Sequence, residues 1–109
     1  MNQRDIWLVP FPFSDQTGKK VRPILLLSKD QFNNSSEDVI VCAITSNISE
    51  KHSISLKNEQ LEEGELLNQC AIKPENVLKI NKKLFLKRIG RINHSTFTQT
   101  LEKFYNLFE

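Results

Sequence analysis

The chain has 109 residues and a mass of 12.7 kDa, which suits one domain and leaves no room for a second. Hydrophobic residues make up 39% and charged residues 26%, so a disordered tail is excluded and a soluble globule is indicated. No apolar stretch approaches the roughly 20 residues that span a bilayer, and three glycines cannot supply a glycine-rich phosphate loop. We therefore expect a single cytoplasmic domain over residues 1–109, with Cys42 and Cys70 as buried thiols.

The net charge of +2 hides an uneven distribution along the chain. Residues 37–65 carry two bases and seven acids, whereas residues 66–93 carry seven bases and one acid. If the two segments form separate faces, the basic face would attract phosphates. The alternative, that both are ordinary solvated surface, stays open on charge alone.

Strand-forming residues alternate with turn-forming residues through most of the chain. Strands are predicted at residues 5–13, 21–27, 39–44, 52–56, 66–72 and 77–80. Loops or turns are predicted at residues 14–20, 30–38, 58–64 and 74–76. Residues 81–91 mix bases with apolar residues and favour neither type. Arg22 directly precedes Pro23, which favours extended backbone at Arg22.

The C-terminal segment has the pattern of an amphipathic helix. Thr96 and Gln99 are spaced as in a helix capping box. Phe97, Leu101, Phe104 and Phe108 then recur on one helical face, which predicts that the helix packs its phenylalanines on a sheet. Strands followed by one helix indicate a small β-barrel, or a strongly bent sheet, with a helix across it.

Common catalytic and metal-binding motifs are missing. The two histidines and two cysteines lack the short spacings of a zinc site, and no paired-carboxylate motif is present, so we expect neither metal nor cofactor. Ser28 and Ser46 lack the flanking glycines of a nucleophile elbow. Four aspartates are expected to be solvated turn residues: Asp5, Asp15, Asp30 and Asp38.

A polar set remains at the predicted strand ends. It contains Arg22, Thr45, Ser46 and Gln69, and the neighbouring Lys19 and Lys20 make the Arg22 corner strongly positive. A guanidinium forks onto phosphate oxygens and stays charged at every relevant pH. Taken alone, such a set is more often surface decoration than a functional site.

Five segments together resemble the MazF/PemK toxins, a family that is also CcdB-like. The first two and most specific are residues 4–13 (RDIWLVPFPF) and 22–28 (RPILLLS). The others are residues 41–46 (VCAITS), 64–69 (GELLNQ) and 89–92 (IGRI). The resemblance covers nearly the whole chain and is weakest over residues 73–80.

The resemblance implies a mainly β fold, an SH3-like small β-barrel with a C-terminal helix, usually assembled as a homodimer. It implies a metal-independent, sequence-selective endoribonuclease toxin of a type II toxin–antitoxin system, which cleaves single-stranded RNA by attack of the ribose 2′-hydroxyl. A cognate antitoxin protein is the implied partner. Arg22 and Thr45 match the family's catalytic arginine and threonine, and Gln69 matches a family glutamine.

The predicted RNA-binding set contains Phe13, Ser14, Lys19, Lys20, Ser46 and Gln69. The lysines are expected to attract the RNA backbone, and Phe13 to offer a stacking surface for a base or to pack in the core.

Two positions depart from the family pattern. Asn68 stands where many members carry an acid, and Leu66 where some carry a second arginine, so the pattern leaves no obvious general base. This keeps a second hypothesis: a non-catalytic barrel of the same family that docks a protein such as a gyrase subunit through its closing helix, or binds RNA without cutting it.

Overall fold

The computed structural model describes residues 1–12 and 19–109. Its strands are β1 (Asp5–Pro12), β2 (Lys19–Leu26), β3 (Asp38–Thr45), β4 (Ile54–Leu56), β5 (Leu61–Gly64), β6 (Cys70–Asn81) and β7 (Lys87–Ile92). Its helices are α1 (Asp30–Ser35) and α2 (His94–Asn106), with short 3₁₀ turns at Asn58–Gln60 and Lys82–Leu84. Within the described residues, no helix has the length and apolar character needed to cross a bilayer.

The described strands form one antiparallel sheet in the order β4-β6-β3-β2-β1-β7-β5. This sheet curls into a half-barrel, and α2 packs against it. The predicted mainly β fold with a C-terminal helix is therefore confirmed. β2 is buried on both faces, since Leu25 belongs to one hydrophobic cluster while Ile24 and Leu26 belong to another.

Helix α2 begins three residues earlier than the capping box predicts, since that pattern makes Thr96 the N-cap. Asn93 is the N-cap, and its side-chain oxygen accepts a hydrogen bond from the Thr96 amide at 2.8 Å. Asparagine caps helices as well as threonine does, and Thr96 is buried in the first turn instead. The predicted packing holds for Phe97, which is 6% exposed and lies in the core. It does not hold for Phe108, which is 71% exposed and follows the last residue of α2.

Two predicted connections contain regular structure. Residues 30–38 include α1, and residues 58–64 include the edge strand β5. Turn-forming residues dominate both segments, so local propensity predicts loops there. Tertiary packing nevertheless stabilises a helix in one segment and a strand in the other.

The two strands predicted at residues 66–72 and 77–80 are one strand, β6. In its ladder with β3, Cys42 pairs with Val77 and the next residue, Ala43, pairs with Lys73. Residues 74–76 are therefore a bulge inside a continuous strand, where Pro74 cannot donate to the ladder. Residues 66–69 precede β6, so Gln69 lies just before the strand rather than inside it.

Asp5 is buried, contrary to the expectation of a solvated turn. It is 2% exposed and accepts hydrogen bonds from the Asn2 amide (3.0 Å) and Arg91 Nε (3.0 Å), while Arg88 Nε lies 3.1 Å away. Burial alone raises the pKa of Asp5, but the bonds from Asn2, Arg91 and Arg88 outweigh it and hold that pKa below its usual value. Both arginines lie on β7, far from Asp5 along the chain, so no local pattern around Asp5 indicates this partnership.

Both cysteines are buried and free, as predicted. Burial raises the pKa of the Cys42 thiol to about 12 and also raises the pKa of Cys70. Neither thiol is thus a reactive thiolate at neutral pH.

Candidate functional site

Arg22 and Thr45 come together at one end of the β2–β3 ladder. The last pair there is Ile24 with Ala43, and the same antiparallel register, extended by two residues, sets Arg22 opposite Thr45. Both residues line one cavity of about 550 Å³. A guanidinium and an alcohol from neighbouring strands therefore share a single concave surface.

The cavity has a mainly apolar lining that also includes polar and charged residues. The apolar wall is contributed by Leu8, Pro23, Ile44, Leu66, Leu67, Cys70 and Ile89. The polar and charged lining residues are Arg22, Thr45, Ser46, Glu65, Asn68, Gln69, Lys87 and Arg88. Such a lining can hold a flat, partly apolar group such as a nucleobase while the polar groups fix its orientation.

The structure brings four of the predicted site residues into this cavity: Arg22, Thr45, Ser46 and Gln69. Lys20 is exposed on β2, two residues before Arg22, and is not among the described residues that line the cavity. Lys19 begins β2, but its side chain lies outside the described part, as do Phe13 and Ser14 entirely.

The hydroxyl of Thr45 is oriented by its own turn. Its Oγ1 accepts a hydrogen bond from the Asn47 amide at 3.1 Å. A hydroxyl has one proton to donate, and this bond leaves that proton available for a ligand oxygen. Thr45 can therefore act as a donor at the rim of the cavity.

Sequence reasoning missed Glu65 and Lys87 as lining residues. Lys87 pairs with Leu8 across β1 and β7, so the two share a face of the sheet. Nothing in residues 81–91 indicated which positions would face the cavity. Glu65 was overlooked because the family pattern directed attention to position 68 for a carboxylate, whereas the structure places a carboxylate residue three positions earlier in the same lining.

Two further cavities adjoin the first. One of about 170 Å³ shares Arg22, Pro23, Ile44 and Thr45 with it. Another, of about 490 Å³, shares residues 66–69 with it. Arg22 and Thr45 therefore contribute to the lining of both the first and the second cavity, and residues 66–69 contribute to that of both the first and the third.

The histidines play no part in these cavities. His52 and His94 are exposed and are not among the described residues that line them. In the described part of the chain, no group of three or more His, Cys, Asp or Glu residues is placed to hold a metal ion.

The sequence matches one family over almost its whole length. Residues 2–108 match the model of the family described as PemK-like, MazF-like toxin of type II toxin–antitoxin system. The chain therefore belongs to this family of toxins. No curated protein matches the chain by sequence.

Solved structures of toxins share the fold. The Mycobacterium tuberculosis toxin MazF-mt6 is 21% identical, with a TM-score of 0.76 over 96% of both chains. A chain of the MazE–MazF structure (Form-III) from Deinococcus radiodurans is 14% identical, with a TM-score of 0.80 over 99% of this chain and 95% of that one. An endoribonuclease in complex with its cognate antitoxin, from Mycobacterial species, is 11% identical, with a TM-score of 0.77 over 99% and 94%. At these identities the likeness establishes the fold.

Proposed function

We propose that this toxin is a metal-independent, sequence-selective endoribonuclease that cleaves single-stranded RNA. The observation that carries the proposal is that Arg22 and Thr45, on different strands, line the same cavity. Membership of the PemK-like, MazF-like toxin family supports it, as does the likeness in fold to a protein described as an endoribonuclease.

The reaction begins with attack of a ribose 2′-oxygen on the adjacent phosphorus. The O2′–P bond forms and the P–O5′ bond breaks, leaving a 2′,3′-cyclic phosphate and a 5′-hydroxyl. Negative charge builds on the non-bridging oxygens, where the Arg22 guanidinium and the Thr45 hydroxyl stabilise it. Arg22 also protonates the leaving 5′-oxygen and is reprotonated from solvent.

Glu65 is the proposed acceptor of the 2′-hydroxyl proton. Among the described residues that line the cavity of about 550 Å³, called the larger cavity below, Glu65 is the one with a carboxylate. Carboxylates act as general bases when they lie within hydrogen-bond reach of the reacting group. The proton then passes from Glu65 to solvent, which balances the proton that Arg22 takes back from solvent. The step exchanges one P–O bond for another and therefore consumes no water.

This mechanism needs no metal ion. The nucleophile belongs to the substrate, so no metal-bound water has to be generated. A fixed guanidinium supplies the positive charge that a metal would otherwise bring to the phosphate.

The proposed partners follow from the family. We propose a cognate antitoxin, because the related endoribonuclease was solved with its cognate antitoxin, and an acidic, initially disordered segment of it laid across the cationic cavity would displace RNA. The homodimer and the cytoplasmic location are proposals on the same basis. Light scattering of the purified protein tests the homodimer.

The decisive experiment is cleavage of a mixed RNA pool in the presence of EDTA, with sequencing of the new 5′ ends. We expect cuts at a short recurrent sequence, with 5′-hydroxyl ends that ligate only after phosphorylation. Arg22→Ala should abolish the cuts while the circular dichroism spectrum and the melting temperature stay unchanged. A pool left intact by the wild-type protein, with and without magnesium, rules the proposal out.

The alternative is a non-catalytic module that docks a protein partner. Tyr105 and Phe108 favour it, because both are largely exposed at the C-terminal end of α2. In that case Tyr105→Ser with Phe108→Ser removes growth inhibition, whereas Arg22→Ala leaves it intact.

A further inference from the structure

The cavity of about 170 Å³, called the smaller cavity below, is lined by a second cationic residue besides Arg22. Its remaining lining residues are Ala43 on β3 and Lys73 and Asn76 on β6. Lys73 directly precedes the bulge in β6 and Asn76 is its last residue, and the bulge changes the register between Lys73 and Val77. Bulges next to functional sites commonly redirect side chains, and this one brings β6 residues to the Arg22–Thr45 end of the sheet.

The strand registers put these groups on one face. Ile24, Ala43 and Lys73 pair in turn across β2, β3 and β6. Directly paired residues share a face, and so do residues two apart on a strand. Arg22 and Thr45 are each two residues from this row, so they share the face of Lys73.

The spacing suits one phosphate. Arg22 and Lys73 lie two strands apart, about 10 Å across the sheet at about 4.8 Å per strand, and are offset by two residues, about 7 Å along the strand direction. Ala43, on the strand between them, has a single methyl group and leaves the space of about 170 Å³ open. Two long cationic side chains can therefore reach one anion from opposite sides.

Lys73 is held in place by acidic neighbours. Its Nζ lies 2.9 Å from Glu50 Oε2 and 4.0 Å from Glu75 Oε2, and its side chain is 22% exposed. These carboxylates limit where the ammonium can go, and they occupy it while no phosphate is bound. The phosphates of a bound nucleic acid compete with these two carboxylates for the ammonium.

We propose that Lys73 is a second phosphate-binding cation of this site, acting with Arg22 on the phosphate of a single-stranded nucleic acid and adding stabilising charge at the scissile linkage. The catalytic part rests on the proposed function, whereas phosphate binding by Lys73 does not. Asn76 lines the same cavity and offers an amide to the flanking nucleotide.

The binding test uses a mixed-sequence single-stranded DNA pool, which carries phosphates but no 2′-hydroxyl to cleave. The logarithm of the binding constant falls with the logarithm of salt concentration, with a slope of about −0.7 per neutralised phosphate for single strands. Lys73→Gln should make that slope shallower by about 0.7, and Lys73→Arg should restore it. Melting temperatures of both variants establish that they are folded.

The matched control is Lys79→Gln on the same strand. Lys79 Nζ lies 3.7 Å from an Asp38 carboxylate oxygen, its side chain is 69% exposed, and it is not among the described residues that line these cavities. We expect its slope to equal that of the wild type. If Lys79→Gln changes the slope as much as Lys73→Gln does, or if Lys73→Gln leaves it unchanged, the inference is wrong.

The cleavage test uses the mixed RNA pool under single-turnover conditions. Lys73→Gln should slow cleavage by about 10²-fold at saturating protein, the usual effect of removing one group that stabilises the transition-state charge. A wild-type protein that binds DNA with the Lys73-dependent slope but cuts no RNA overturns the nuclease proposal and leaves Lys73 as a phosphate ligand. A wild-type protein that cuts RNA while Lys73→Gln binds and cuts equally well overturns only the inference.

Discussion

Arg22 on β2 and Thr45 on β3 each lie two residues beyond the last pair of their ladder, Ile24 with Ala43, and both line the same cavity. The larger and smaller cavities both include these two residues, so they mark the place where the cavities meet. A phosphate bound there has a guanidinium from one strand, a hydroxyl from the next, and two adjoining cavities for its flanking nucleotides. This arrangement suits a reaction at an internal linkage of a chain better than one at its end.

The Thr45 hydroxyl can be tested separately from the shape of the side chain. Thr45→Val removes the hydroxyl at nearly constant volume, so the lost donor should reduce the single-turnover rate of RNA cleavage by about 10²-fold. Thr45→Ser keeps the hydroxyl and should retain most of the rate. Equal rates for Thr45→Val and the wild type would contradict a donor role for this hydroxyl.

Sequence reasoning succeeded where a feature depends on neighbouring residues and failed where it depends on register. The apolar run at residues 24–27 predicts a strand buried on both faces, and β2 is one. The turn signal at residues 74–76 is real, but only the pairing of β6 with β3 shows that it is a bulge within one strand. Lys73 enters the site through that bulge, so no local pattern could have identified it.

Long-range partners account for another failure. Aspartate is common in turns, which is why a solvated turn is predicted at Asp5. Its hydrogen-bond donor Arg91, however, is 86 positions away in sequence. The polar set and the family pattern predict four residues of the candidate site: Arg22, Thr45, Ser46 and Gln69. No local pattern predicts Glu65 and Lys87 as lining residues, because the curvature of the sheet decides which residues face the cavity.

The buried Asp5 carboxylate should make stability depend on pH in the acid range. Its folded pKa lies below the ordinary value of 3.8, so its stabilising contribution is complete above that value and is lost as the pH falls through the folded pKa. Asp5→Asn should lower the free energy of unfolding at pH 7 by about 3 kcal/mol, because Arg88 and Arg91 lose a buried partner. The difference between wild type and variant, measured by urea unfolding, should shrink from pH 5 towards pH 2.

A control for this prediction is Asp38→Asn. Asp38 is more exposed, and its oxygen lies 3.7 Å from Lys79, so the variant should change stability by less than about 1 kcal/mol. A loss for Asp5→Asn that is no larger than this, or one that stays constant down to pH 2, would contradict the assigned role of the carboxylate.

Phe97 in α2 and Phe108 just beyond the end of this helix should differ sharply in their contribution to stability. Phe97 packs in the core with Ile6 and Ile92, so Phe97→Ala should cost about 3–5 kcal/mol of unfolding free energy. Phe108 is largely exposed, and Phe108→Ala should change stability by about 0.5 kcal/mol or less. Thermal unfolding of the two variants at the same protein concentration provides the comparison. Similar losses at both positions would mean that Phe108 is covered in solution, as in a dimer.

Glu65 offers the sharpest test of the proposed proton transfer. Glu65→Gln keeps the size and hydrogen-bonding reach of the side chain but cannot accept a proton, so the cleavage rate at saturating protein should fall by about 10²–10⁴-fold. Binding of the non-cleavable DNA pool should not weaken, because a negative charge is removed from a cationic cavity.

The matched control is Glu63→Gln, two residues away on β5. The Glu63 carboxylate contacts Arg88 at 2.9 Å and Arg91 at 3.4 Å, and Glu63 is not among the described residues that line the larger cavity. We expect Glu63→Gln to cut RNA at the wild-type rate, since its contacts are with the arginines that hold Asp5. If Glu65→Gln cleaves as fast as Glu63→Gln, the 2′-hydroxyl proton must leave by another route, and Arg22 and Thr45 would have to account for catalysis without a carboxylate base.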